Sequence, residues 1–524
     1  MNRQIILLLV LITFSQSYLY GQKVLWGKME QEPINGMLRD PETLTDQGIY
    51  AVKGYGGGPY SDFYTLKKEI NLEKFDLAFN LKYTIALPLP DYEGSKVRRE
   101  GIVSFAGKEL LFSSCVKGGE QIYLFTPLSP SGVTNPYNVL GRLTIEGKDP
   151  AELVIIKKND KLFIHNQNSK ARKNYSFFYT FVLNKNLQVE VTNKVKLDLP
   201  SESYSILKCE IDRFDNWHLL VKNKSGKDNT ETSSKKEFEY QLFSLMKGAV
   251  QQTKIVAESK AIKQIKMSSQ GDDLIITGFY SDKIITGSGE WKTVTIVDKQ
   301  SGVFYGRVNS LEPFKLKIAN IDFGPEFIDV EDKKDSYVIS ADFLLQDISV
   351  TDDGKCYIFS EEISNSSYGT FANFSSNGAG PFFVGAAGYT IYYRDILIIE
   401  LDKEGKIKRH VVVRKKQDGK DSLIPYCSYV KSVKDGKIRL VFSDDNKNIP
   451  GENKKAHFKN SNYAITVVCT IDEQSNEKRV VVDFTDEIGL IKISEIIKKN
   501  ESEFVVYKNN TRAETFMFGV LKLE

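Results

Sequence analysis

Residues 152–197 read ELVIIKKNDKLFIHNQNSKARKNYSFFYTFVLNKNLQVEVTNKVKL. Four apolar runs fill this stretch: Glu152-Leu153-Val154-Ile155-Ile156, Leu162-Phe163-Ile164-His165, Ser176 to Leu183, and Val189 to Leu197. Each has the length of a strand, is rich in β-branched and aromatic residues, and is set off from the next by polar turn formers. The stretch therefore predicts four short antiparallel strands in one compact unit.

The same unit recurs along the chain. A short apolar segment, often preceded by a turn of Asp, Asn or Gly, begins at Gly48, Glu109, Lys161, Trp217, Asp273, Lys355, Lys437 and Glu503. A second segment follows after a loop of variable length, as at Thr293 to Val297 and Asp395 to Leu401. A tight turn then opens a third, as at Val297-Asp298-Lys299-Gln300-Ser301-Gly302 and Leu401-Asp402-Lys403-Glu404-Gly405. Pairs such as Asp353-Gly354 and Asp435-Gly436 supply the positive φ that two-residue hairpins require. These Asp clusters lack the further ligands of a calcium loop. Counting the run before each turn, every unit holds four strands.

Repeated four-stranded units without a long helical pattern predict an all-β chain forming a single β-propeller. One such unit cannot bury both of its faces, whereas a ring of units buries them against neighbours. The count is about eight blades, or seven if the weak first unit is set aside. The last unit stops at Glu524 without an outer strand, while Lys23-Val24-Leu25-Trp26-Gly27-Lys28 is a strand without a unit. Donating that N-terminal strand to the last unit would close the ring and remove two exposed edges.

The composition agrees. Of 524 residues 41% are hydrophobic and 11% aromatic, too apolar for a disordered chain, and five Cys are too few for a disulfide scaffold. Lys and Arg number 71 against 68 Asp and Glu, so no net charge argues for a nucleic-acid partner. Cys115, Cys209, Cys356, Cys427 and Cys469 are scattered in apolar runs and read as buried small hydrophobes. No CxxC occurs and the four His are far apart in sequence, so no metal and no cofactor is expected.

Residues 1–21 have the pattern of a cleavable export signal: a basic start at Arg3, an apolar run from Ile5 to Phe14, polar Ser15-Gln16-Ser17, and small Gly21. The run is shorter than the ~20 residues needed to span a bilayer. The expectation is a secreted or periplasmic monomer made of residues 22–524, with no transmembrane segment in the mature chain.

This pattern of units resembles the secreted β-propeller proteins of Gram-negative bacteria. The Trp-Asp ending of WD40 repeats, the Gly-Gly kelch pattern and the Asp box of sialidase-like propellers are all missing. The resemblance implies an architecture and little more, and leaves function to the site.

Long loops fall mostly on one face: Gly54–Tyr60, Lys224–Glu237, Ser281–Glu290, Ser364–Arg394 and Asp444–Asn462. A rigid scaffold presenting long loops on one side nominates that face as the working surface. Segment 364–394 carries Tyr368, Phe371, Phe374, Phe382, Phe383, Tyr389 and Tyr392 among Gly, Ser, Asn and Ala, with Arg394 its one charge. Such a loop either contacts a sugar ring or protein partner, or folds over the ring and plugs its channel. A second constellation lies at the ends of second strands, where Lys53, Lys222 and Lys508 align and Glu361, Glu362, Asp444 and Asp445 lie at or just beyond. A ring of mixed charge there would suit a polar ligand.

No nucleophile elbow, Walker loop or His-Glu-x-x-His occurs, so the expectation leans away from an enzyme. The function expected is binding of an envelope or extracellular protein or glycan through the loop-rich face. The alternative is a carbohydrate-active hydrolase or lyase with carboxylates in the channel. Neighbours such as Glu361 and Glu362 point to opposite faces of a strand, so a catalytic pair would have to form across blades.

Overall fold

The computed structural model describes residues 24–523 apart from 32–36, 56–67, 131, 134–136, 145–151, 159, 168–174, 199–203, 225–237, 247–248, 287–292, 297–298, 326, 328–341, 366–389, 449–457, 459–463, 485–488 and 511–514. Among the described residues, eight antiparallel sheets follow one another in chain order. Blade one spans residues 37–86, blade two 98–144, blade three 152–198 and blade four 204–255. Blade five spans 260–322, blade six 343–420, blade seven 430–484 and blade eight 497–522. The ring is an eight-bladed β-propeller, with every second strand where the sequence placed it.

Both faces of each sheet are buried, which is why the second strands read as continuous apolar runs rather than alternating ones. In blade six, Cys356 and Ile358 pack with Ile275 and Phe279 of blade five, while Tyr357 and Phe359 pack with Leu440 and Phe442 of blade seven. Burying apolar area on both faces at roughly 25 cal/mol per Å² is what holds the blades side by side.

The N-terminal strand closes the ring. Val24–Trp26 pairs antiparallel with the third strand of blade eight, Val24 opposite Leu521 and Trp26 opposite Gly519. A Cβ on Gly519 would stand 2.7 Å from the Trp26 ring and 2.8 Å from Val24, so the indole needs a glycine beneath it. Phe75 and Phe79 of blade one meet Phe516 and Phe518 of blade eight across the closing seam, with Phe75 and Phe518 centroids 5.0 Å apart.

One turn device recurs. In segments 76–80, 184–188, 212–216, 402–406 and 472–476 the leading Asp or Asn Oδ1 accepts the backbone N–H two and four residues on. The fourth residue has positive φ in all five: Phe79, Leu187, Asp215, Gly405 and Ser475. The side-chain oxygen satisfies amides that would otherwise be orphaned and so stabilises the reversal locally. Asp435 and Gly436, both with positive φ, make the two-residue hairpin expected there.

Two strand assignments are corrected. Thr293–Ile296 is not the third strand of blade five. It pairs with the overrun end of the long second strand, Lys283–Thr286. The third-strand position is taken by Gly302–Asn309, whose Val303 and Phe304 are fully buried, and Ala319–Asp322 is the outer strand. In blade six the third strand begins at Thr390, so Tyr392 and Arg394 lie on a strand rather than in a loop, paired with an added strand at Gln417–Lys420.

Candidate functional site

The loop-rich face of blades six and seven carries a buried ionic lattice. Along the second strand of blade six, Tyr357, Phe359 and Glu361 alternate toward blade seven; in blade seven, Ile438, Leu440, Phe442 and Asp444 alternate toward blade six. Glu361 and Asp444 therefore enter the same seam, a cross-blade relation invisible in the sequence. Glu361 stands at 0% exposure and Asp444 at 1%.

Each carboxylate is held by its own cation. Lys415 Nζ lies 2.5 Å from Glu361 Oε1, and Ser428 Oγ donates to Glu361 Oε2 at 2.6 Å. Gln417 ties these together: its Oε1 accepts from Lys415 Nζ and from the Ser428 amide, both at 2.8 Å, and its Nε2 donates to the Ser443 carbonyl at 2.7 Å. Arg479 pairs with Asp444 at 3.1 Å, Asn448 Nδ2 donates to the same carboxylate at 2.7 Å, and Arg479 also donates to the Arg414 carbonyl. Burial raises the Asp444 carboxyl, against the opposing pull of Asn448 and Arg479. Arg394 donates to Asp418 at 2.9 Å and lies 4.7 Å from the half-buried Tyr392 ring.

Above this lattice sits a small apolar cap of Ile363, Ile391, Tyr393, Cys427, Phe458 and Leu490. Phe458 is fully buried and bridges to Gln417, its amide donating to the Lys416 carbonyl. The lattice and cap thus hold the roots of segments 366–389 and 449–463. Lys415, Gln417, Ser428 and Arg479 were missed from sequence. Their one signal, the basic pair Arg414-Lys415 directly after the apolar strand ending at Val413, looks like any strand end.

The three aligned lysines enter three different seams. Lys53 is buried beside Glu73, 3.8 Å away, on the side of its blade facing blade eight. Lys508 reaches toward blade seven, 3.4 Å from Asp483 and 4.4 Å over the Trp26 ring. Lys222 lies 3.6 Å over Phe238 in the seam of blades four and five, and burial lowers its ammonium. Glu362 lies opposite a bulge of the third strand, where Arg394 and Asp395 together face it, and Asp445 accepts the Lys447 amide at the following turn. Tyr368, Phe371, Phe374, Phe382, Phe383 and Tyr389 lie outside the described residues.

A Ser-His-Asp arrangement also occurs in blade four. His218 Nδ1 is 2.8 Å from Ser244 Oγ, and Nε2 is 3.2 Å from Asp212 Oδ2. All three side chains are sealed from solvent, so the serine has no route to a substrate. Burial would raise the Asp212 carboxyl, yet hydrogen bonds from His218 and Asn216 hold it well below the usual range. Asp212 is also the lead residue of the recurrent turn, and the trio locks that turn to the third strand. The five cysteines are free, and no cluster of three metal-ligating side chains occurs among the described residues. No helix among them is long and apolar enough to cross a membrane.

The fold makes this chain an eight-bladed β-propeller. No known protein family matches it, and no curated protein is similar to it in sequence. Among solved structures it is similar to an uncharacterized protein from Listeria monocytogenes EGD-e, at 7% identity and TM-score 0.35 over 82% of this chain and 94% of that one. It is also similar to a variant of the Synechocystis apocarotenoid oxygenase, at 10% identity and TM-score 0.32 over 90% of this chain and 93% of that one. Likeness at this level carries no activity across.

Proposed function

We propose that the chain is an exported, non-enzymatic β-propeller that binds an envelope or extracellular protein or glycan through the loop-rich face of blades six and seven. The observation that supports this reading is the ionic lattice around Glu361, Lys415, Gln417 and Asp444, which anchors the roots of two long segments on a rigid base. Rigid anchoring of long loops lowers the ordering cost of binding. Segment 366–389 carries most of the candidate aromatics, and its Tyr, Phe, Ser, Gly and Asn are the residues of adaptable contact surfaces.

Glycan hydrolysis by Glu361 and Asp444 ranks below this reading. The two share a seam, as that chemistry needs, but both are closed to solvent and engaged by Lys415 and Arg479. The test is a pull-down from the cell envelope with the full chain and with residues 368–389 replaced by a short Gly-Ser linker. Capture of a partner by the full chain and its loss from the shortened one is the expected result. Equal capture by both overturns the assignment of the binding face, and glycan cleavage abolished by Glu361→Gln would favour the hydrolase.

A further inference from the structure

The first strand of each blade is the inner end of its sheet, and first strands of neighbouring blades touch one another, so these strands line the axis of the ring. On blades four to seven they carry, besides Lys260, Lys263 and Lys434, an alternation of charge: Lys208 and Glu210, then Lys266, then Asp347, then Lys431. Two of the cations in this alternation have carboxylate partners. Lys208 lies 3.3 Å from Glu210, which also accepts from Ser269 Oγ, and Lys431 lies 3.2 Å from Asp347. Lys266 has no carboxylate within ion-pair distance among the described residues, although Asp347 attracts it and Lys208 repels it from either side.

This wall is walled in by protein yet wet. Asp347 keeps 59% of its side chain accessible and Lys208 47%. Burial nevertheless lowers the Lys266 and Lys431 ammonium groups, and it works to raise the Asp347 carboxyl before the Lys431 charge overrides it. Desolvated charges that remain reachable by solvent mark a concave site rather than a packed seam. Among these five groups three are lysines and two are carboxylates, and the ammonium without a carboxylate partner is Lys266. A strongly hydrated point charge held half out of water gains most from an anion that can replace its lost hydration.

We propose that the axial channel beside blades four to seven is a binding site for a small oxyanion-bearing solute, anchored on Lys266 with Lys208 and Lys431 flanking it. The site uses none of the residues of the Glu361–Asp444 lattice and none of segment 366–389, so it stands or falls independently of the partner-binding reading. The negative ends of Glu210 and Asp347 restrict it to a single anionic group per ligand, because a second would meet a carboxylate on either side.

Calorimetric titration of the full chain tests this with three probes: inorganic phosphate, a trisaccharide bearing one uronic acid, and the neutral trisaccharide of the same size. Saturable binding of phosphate or the acidic sugar, but not of the neutral one, is expected, and the better of the two identifies the source of the oxyanion. Lys266→Gln weakens that binding at least tenfold, about 1.4 kcal/mol, and Lys208→Gln weakens it less. Lys403→Gln, on an exposed outer hairpin, leaves it unchanged. Thermal unfolding confirms that each variant is folded. Failure of both acidic probes to saturate the full chain at millimolar concentration overturns the proposal, as does unchanged binding in folded Lys266→Gln. Deleting segment 368–389 leaves these lysines in place, so loss of partner capture and loss of oxyanion binding are distinguishable.

Discussion

Lys415 and Glu361 form an ion pair in which neither side chain touches solvent, set in the seam between blades six and seven. Two charges removed from water gain little net stability when paired, but each becomes costly when the other is removed. Lys415→Met should therefore destabilise the fold by about 3–5 kcal/mol, because Glu361 is left charged and buried. The double variant Lys415→Met, Glu361→Leu should recover most of that loss. Denaturant midpoints of the single and double variants give the coupling directly, and equal losses in both would contradict the pairing.

His165 supplies a pH dependence. Its ring lies 4.9 Å from Phe178 and 5.9 Å from Trp217, and burial lowers its pKa to about 4 from 6.5. Between these values the unfolded chain takes up a proton that the native ring refuses, so stability rises with pH across the window. The contribution is complete above about pH 6.5 and lost as the pH falls toward 4, amounting to ~3 kcal/mol at most. His165→Leu should flatten the unfolding midpoint across that range, and an unchanged slope would refute the assignment.

Ring closure predicts a third outcome. Trp26→Ala removes the indole that covers Gly519 and carries the Lys508 ammonium 4.4 Å above it. A loss of roughly 2 kcal/mol is expected for this half-buried ring. Proteolytic cleavage near residues 27–31 should accelerate with it, since these residues continue the same outer strand onto Thr515 and Phe516. Gly519→Ala, which pushes a methyl into the indole, should have the same effect from the opposite side.

The recurrent turn gives a milder test. Asp402 Oδ1 accepts the Glu404 and Lys406 amides, and this acceptor, rather than the charge, holds the turn. Asp402→Ala should cost about 1 kcal/mol, whereas Asp402→Asn, which keeps the oxygen, should be close to neutral. A thermal shift in Asn equal to that in Ala would assign the effect to charge instead.

Much of this architecture is legible in the chain itself. Apolar runs of strand length, the Asp- and Asn-led turns and the orphan strand at Val24–Trp26 are local signals, because a strand buried on both faces must be apolar throughout and a tight turn must have an acceptor or a positive φ. They are enough to reach about eight blades, a count the structure fixes at eight, and to place the N-terminal strand beside the last unit. The second strands were therefore found in every blade. Blade five misled because Thr293–Ile296 and Gly302–Asn309 are both apolar, and local pattern does not say which of them lies in the sheet and which extends beyond it.

What the tertiary structure decided is which seam each charge enters. A side chain's face follows from strand parity, and parity is inverted by one extra residue, such as the bulge at Arg394-Asp395 or those between Ile206 and Lys208 and between Leu345 and Asp347. Lys53, Lys222 and Lys508 occupy equivalent positions in sequence yet face three separate seams, while Glu361 and Asp444, 83 positions apart by their numbering, meet in one. The sequence alone points to the four-stranded repeat, to about eight blades with seven left open, and to the strand that closes the ring. Only the packing of one blade on the next settles which ionic groups share a seam, because that contact is made between residues whose relation no local pattern encodes.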